Sequence, residues 1–292
     1  MARAAGKSLF LALLLAAPFL LCAAGAEGTG TLEPYSEENG YTYVYFGRYP
    51  QSIEGGDPDD GKNSWAWRKQ YRDWEEATRK ELGLKKHDIL DPYDPGPLDP
   101  DPILWRVLSV DDEKIYLMSE YVLFASPVHS SMKEYRETGG DFGQTQICAK
   151  LNGEFADTAF TDAEKEALLP VGPYGKVSLP SADDMNNPAM GFSKKKLGTR
   201  KGMATEYAIR STGVFVYQAS MGCHSPYWMR EQSETDKRHG RATKQTGSVG
   251  HLHCDAVDVG ARPVVYLAAG GFRITGGSGT KEDPWQLSAG AE

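Results

Sequence analysis

Apolar and polar residues begin to alternate at residue 41. Tyr41, Tyr43 and Tyr45 fall on one face and Thr42, Val44 and Phe46 on the other, which predicts a strand that residues 47–51 end. Denser apolar runs at 103–110 and 114–123 flank Asp111-Asp112-Glu113. They predict a β-hairpin whose strands are covered on both faces. Helical spacing replaces alternation at 145–155, where Ile147, Cys148, Leu151 and Phe155 share one side and Cys148 therefore faces a core. Thr161 with Glu164 forms a capping box for a helix through residue 169, and Ser181 with Asp184 resembles another cap. Residues 172–179 read as loop and then a short strand, and 205–209 and 214–217 as short strand or loop. The pattern as a whole is α+β.

Residues 52–101 interrupt this order and read as an insertion. Residues 55–63 form an acidic, turn-rich loop. Asp57, Asp59 and Asp60 invite a calcium reading, but Gly61 comes one place too early for an EF-hand and Arg68 stands where the bidentate Glu belongs. A helix is predicted over 64–82, capped by Ser64, closed by Gly83 and carrying a stripe of Trp67, Tyr71 and Trp74. Five prolines and four aspartates in 91–102 predict extended chain that joins no regular element.

The first 26 residues change the picture of where the chain works. Arg3 and Lys7 precede a 13-residue run, 9–21, that is apolar apart from Pro18, and Ala24-Gly25-Ala26 supplies small residues for cleavage before Glu27. The run falls short of the roughly 20 residues a spanning helix needs. A signal peptide (1–26), a flexible leader (27–40) and a protein outside the cytoplasmic membrane are expected, with no membrane span. The formal charge of −8 becomes more negative once Arg3 and Lys7 are removed. Such a chain is a poor partner for nucleic acid or an anionic membrane surface. Lys194-Lys195-Lys196 with Arg200 and Lys201 reads as a solvated loop.

Candidate chemistry concentrates between residues 223 and 267. Cys223, His224, His251, His253 and Cys254 offer metal ligands, but in no familiar spacing. If 251–255 is a strand, His251, His253 and Asp255 share one face, and Cys254 turns away with Leu252. A Cys223–Cys254 disulfide fits that alternation better than a metal site or free thiols, and closing its loop would contribute about 3–4 kcal/mol. His251, His253 and Asp255 then face outward, as ligand contacts or as solvated polar residues. Trp228 and Arg230 alternate onto one face. They read either as an aromatic plane beside a guanidinium, suited to a sugar or a carboxylate, or as a core Trp with a structural Arg. No nucleophile elbow, HExxH or phosphate loop occurs, so neither catalysis nor a cofactor is expected.

The order of several motifs resembles a bacterial extracellular family, domain-of-unknown-function family 6273. The resemblance is carried by Phe46-Gly47-Arg48-Tyr49-Pro50-Gln51, Ile103-Leu104-Trp105-Arg106-Val107-Leu108, Lys114-Ile115-Tyr116-Leu117-Met118-Ser119 and Leu151-Asn152-Gly153-Glu154-Phe155. It continues through Ala159-Phe160-Thr161, Val177-Ser178-Leu179-Pro180-Ser181, Thr205-Glu206-Tyr207-Ala208, Trp228-Met229-Arg230 and Arg262-Pro263-Val264-Val265-Tyr266-Leu267. It implies a single C-type-lectin-like domain over 41–267, of the kind shared with formylglycine-generating enzymes, and assigns no activity. Two departures stand out: Tyr227-Trp228-Met229-Arg230-Glu231-Gln232 replaces W-W-L-R-S-P, and Cys148 replaces an Arg. Residues 268–292, with Gly276-Gly277-Ser278-Gly279-Thr280 and Asp283-Pro284-Trp285-Gln286-Leu287, resemble a strand-forming ending found on bacterial surface proteins. The expected function is non-catalytic binding of a glycan or a protein by the loops around Tyr227, Trp228 and Arg230 and around His251, His253 and Asp255. The alternatives are a metal-dependent oxidoreductase of formylglycine-generating type and a structural envelope module.

Overall fold

The computed structural model describes residues 31–53, 76–77, 79–83, 98–217 and 224–290. The predicted signal peptide, the predicted acidic loop at 55–63, the predicted stripe of Trp67, Tyr71 and Trp74, and Cys223 lie outside the described residues. The chain is mixed α+β, with two mostly antiparallel sheets and short helices. No described helix is long and apolar enough to cross a membrane.

The larger sheet is built around the predicted hairpin. Its strands are β1 (Tyr43–Ile53), β2 (Leu98–Val110), β3 (Lys114–Ser119), β5 (Leu168–Leu169), β6 (Val177–Ser178), β11 (Val264–Ala268), β12 (Phe272–Gly276) and β13 (Trp285–Ala289). The order is β12-β13-β1-β2-β3-β11-β5, with β6 also on β11. Asp111 makes the hairpin turn by accepting from the Glu113 and Lys114 backbone N–H groups at 3.0 and 2.8 Å. As the dense apolar runs predict, β2 and β3 are covered on both faces. Trp105, Val107, Ile115 and Leu117 enter one core, and Leu108, Tyr116 and Met118 the other. The smaller sheet comprises β4 (Phe124–Ala125), β7 (Tyr227–Gln232), β8 (His239–Thr243), β9 (Val249–His253) and β10 (Gly260–Ala261), ordered β4-β10-β7-β8-β9. It adds Trp228 and Ala242 to the first core and Tyr227 and Met229 to the second.

Three elements depart from the sequence reading. Residues 98–102 belong to β2, despite their prolines. They pair with the far half of β1 through a bulged register that sets Pro100 opposite Pro50 and Pro102 opposite Arg48. Side chains supply donors there: Arg48 Nε reaches Pro100 O at 2.8 Å, and Gln51 Nε2 reaches the Asp101 and Pro102 carbonyls at 3.0 Å. The capping box at Thr161 and Glu164 is present, but its helix (Asp162–Ala167) stops early and Leu168–Leu169 join β11. Residues 206–210 are helical (Glu206–Arg210), begun by Thr205, whose hydroxyl accepts from Ala208 N at 3.1 Å. Of the helix predicted over 64–82, residues 76, 77 and 79–81 are helical, and Gly83 follows them at φ 66°. Cys148 is buried in the first core, as expected, behind the Thr145 cap.

The C-terminal hairpin continues the sheet beyond residue 267. β13 runs parallel to β1, pairing Val44 with Trp285, and Tyr43 N donates to Gly279 O at 2.9 Å. Gly279 has φ 81°, and a Cβ there would lie 2.3 Å from Trp285 Nε1, so the turn requires glycine.

A buried ionic cluster ties the tail and β11 to the hairpin. Arg106 makes a two-pronged contact with Glu120 through Nε and Nη2. Arg262, fully buried, donates from Nε to Ser119 O at 2.7 Å and brings Nη2 to 3.7 Å from Glu120. Lys281 Nζ reaches the same carboxylate at 3.3 Å. Burial by itself raises the Glu120 pKa, but the charges of Arg106, Arg262 and Lys281 outweigh it and hold the carboxyl at about 2.

Candidate functional site

β7 was expected to show one face to a ligand, and the structure divides it. Tyr227 and Trp228 are both fully buried, which removes them from any binding face. The Tyr227 hydroxyl donates to Arg200 O at 2.6 Å, and Trp228 Nε1 donates to Ser126 O at 2.8 Å. Gly240 on β8 makes room for the indole. A Cβ there would stand 3.1 Å from the Trp228 ring and 3.2 Å from Val128. The reading of Trp228 as a core residue is therefore the one the structure supports.

Arg230 parts company with Trp228. The β7–β8 register shifts between Trp228 and Gln232, so simple alternation ends there. Arg230 N donates to Pro180 O at 3.1 Å, and its half-buried side chain lines a cleft of about 280 Å³. Glu231, Glu234, Lys237 and Arg241 complete the charged lining, with Tyr174, Gly140 and Gln232 beside them. The loop after β7 places Glu234 and Lys237. Its geometry is set by Ser233 Oγ, which accepts from Thr235 N and Asp236 N at 3.3 and 3.2 Å, and by Ser233 N, which donates to His239 O at 2.8 Å.

The electrostatics of the cleft are only partly balanced from within. Arg230 Nε lies 3.9 Å from Glu231, and Arg241 Nη1 lies 3.4 Å from Glu234. Glu231 also accepts from Ala182 N at 3.0 Å, while burial pushes its pKa upward. Two buried polar atoms of the lining have no hydrogen-bond partner among the described residues: Gln232 Oε1 and Arg241 Nε. Gln232 is 7% exposed, and its Nε2 is committed to Tyr135 O at 3.2 Å and Lys237 O at 3.0 Å. Its acceptor is therefore held in place beside the cleft.

The other sequence-named residues lie on the neighbouring edge. His251 and His253 are exposed and Leu252 between them is half-buried, so the predicted alternation holds to the end of β9 at His253. Cys254 and Asp255 follow in a turn, with Cys254 fully buried in the first core and Asp255 half-buried. His251 pairs in register with Arg241, and the His253 ring lies 4.2 Å from that of His239. None of the three lines the cleft. The expected Cys223–Cys254 bridge needs correction at Cys254, which is a free thiol in this structure. It is enclosed by the core, and burial pushes its pKa up to about 11. No three His, Cys, Asp or Glu side chains among the described residues form a group able to hold a metal ion.

Sequence reasoning missed Gln232, Arg241 and Lys237. A signal existed in the unbroken mixed-charge stretch Arg230-Glu231-Gln232-Ser233-Glu234-Thr235-Asp236-Lys237-Arg238, which is too polar for a core strand. No family model matches this chain, and neither a curated protein nor a solved structure matches it.

Proposed function

We propose that this protein is a secreted or surface-attached binding domain without catalysis, of C-type-lectin-like fold, that holds a glycan or protein ligand in the cleft at Arg230. The observation that carries the reading is the pair of buried, unpartnered atoms in the lining, one acceptor and one donor. Burying such atoms without partners costs free energy, and a side-chain shift that turns both toward a polar ligand in the cleft offsets that cost. The mixed architecture and the order of motifs support the fold, and the leading apolar run supports export. The oxidoreductase alternative has less support, because it needs a reactive thiol and the Cys254 thiol is enclosed and raised in pKa.

The test is retention on an immobilised panel of envelope glycans and envelope proteins. Wild-type protein is expected to be retained, and Arg230→Gln, with an unchanged circular dichroism spectrum and melting curve, to be lost. Equal retention of the two proteins would remove the cleft from the function.

A further inference from the structure

Lys237 stands at one side of the cleft at Arg230. A second hollow, of about 470 Å³, opens against the helix Met132–Glu137 and is lined by Lys133, Arg136, Glu137 and Lys237. Lys237 lines both hollows, so the two lie next to each other on the surface. Gln232 braces the junction by bonding to Tyr135 on the helix and to Lys237 on the loop.

Together the two hollows form a surface whose charge opposes that of the chain. Arg230, Arg241, Lys237, Lys133 and Arg136 line it against Glu231, Glu234 and Glu137, on a protein of formal charge −8. Among the described residues, Lys133, Arg136 and Lys237 have no carboxylate within ion-pair distance, whereas Arg241 and Arg230 each have one. A surplus of uncompensated cations in a concave surface concentrates anions there. The unpartnered atoms narrow the chemistry further. Arg241 Nε requires an acceptor, and Gln232 Oε1, on a side chain more than nine-tenths buried, requires a donor. A sugar ring that carries both a carboxylate and hydroxyls meets the two requirements at once. An acidic peptide brings carboxylates too, but its side chains need apolar pockets, and Tyr174 is the one aromatic or aliphatic side chain in the lining.

We propose that the two neighbouring hollows together bind an acidic polysaccharide, a chain of uronate residues laid from Arg241 and Arg230 across Lys237 to Lys133 and Arg136. This rests on the binding-domain reading above and adds to it the charge, class and path of the ligand.

The test is calorimetry of the full mature chain with a glucuronate oligosaccharide, its carboxyl-reduced counterpart and a glutamate oligopeptide. Binding is expected for the acidic sugar alone, weakening with added salt as exposed charges are screened. Arg241→Gln and the double variant Lys133→Gln/Arg136→Gln are each expected to weaken it about tenfold or more. All of these residues are partly exposed or exposed, and a melting curve checks that each variant folds. Equal binding of the acidic and reduced sugars would overturn the charge recognition and leave the binding-domain reading standing. So would binding of neither sugar by a protein that the glycan panel still retains through Arg230. Equal or tighter binding of the glutamate peptide would overturn the assignment to sugar. Acidic-sugar binding undiminished in both variants would overturn the path.

Discussion

Among the described residues, arginines gather around glutamates in two clusters, and the surroundings give them opposite roles. At the first, Arg106, Arg262 and Lys281 converge on Glu120, with Arg262 fully buried and the carboxyl held far below its usual range. At the second, Arg230 and Arg241 stand beside Glu231 and Glu234 at 3.9 and 3.4 Å, on an open cleft that keeps an unpartnered donor and acceptor. The first set of charges is spent on the fold. It joins β11 and the C-terminal hairpin to β2 and β3. Both keep buried atoms without a hydrogen-bond partner, Arg262 Nη1 and Nη2 in the first and Arg241 Nε and Gln232 Oε1 in the second, but the second set stands on an open cleft. Residue type is nearly the same in the two, and burial separates them.

The largest effect that tests this contrast is expected at Glu120. Glu120→Ala leaves Arg106 and Arg262 buried without their anion and should destabilise the fold by about 3–5 kcal/mol. Urea denaturation measures it, and a loss below about 1 kcal/mol, the range of exposed pairs, would erase the distinction. A smaller effect is expected on acidification. The folded Glu120 pKa of about 2 lies below the ordinary 4.5, so the unfolded chain binds the proton more readily. The contribution is fully present above about pH 4.5 and is lost as pH falls through about 2, amounting to about 3 kcal/mol. Denaturation midpoints followed over that window should fall more steeply for wild type than for Glu120→Gln, and parallel curves would refute the assignment. The smallest effect belongs to the cleft. Arg241 pairs with the exposed Glu234, so Arg241→Gln should leave stability within about 0.5 kcal/mol of wild type. A large stability loss there would show that the cleft, too, is holding the fold.

Legibility in the sequence followed the range of the interactions involved. The β2–β3 hairpin, the Thr161 capping box and the core placement of Cys148 all rest on residues a few positions apart, and period and capping show them directly. Strand character at 98–102 was hidden because it depends on a distant partner. Pro100 and Pro102 reach the sheet only where the β1 bulges and the side chains of Arg48 and Gln51 accommodate them. The helix at Glu206–Arg210 carries a readable signal, since Thr205 caps it and Glu206 follows in the first turn. Alternation located the outward His251 and His253 correctly and failed at Trp228 and Arg230, where the register shift lies between the two strands.

The candidate site shows the same division. The sequence alone determined that Arg230 stands in a polar, mixed-charge stretch after an aromatic strand, and that His251 and His253 share one outward face. These are properties of neighbours along the backbone. That Trp228 fills the core, that Gln232 keeps a buried acceptor beside the cleft, and that Lys237 meets Lys133 and Arg136 were decided by packing between segments about 100 residues apart. Whether a side chain is a wall, a brace or a contact depends on which of its polar atoms the fold has already used, and only the assembled structure records that use.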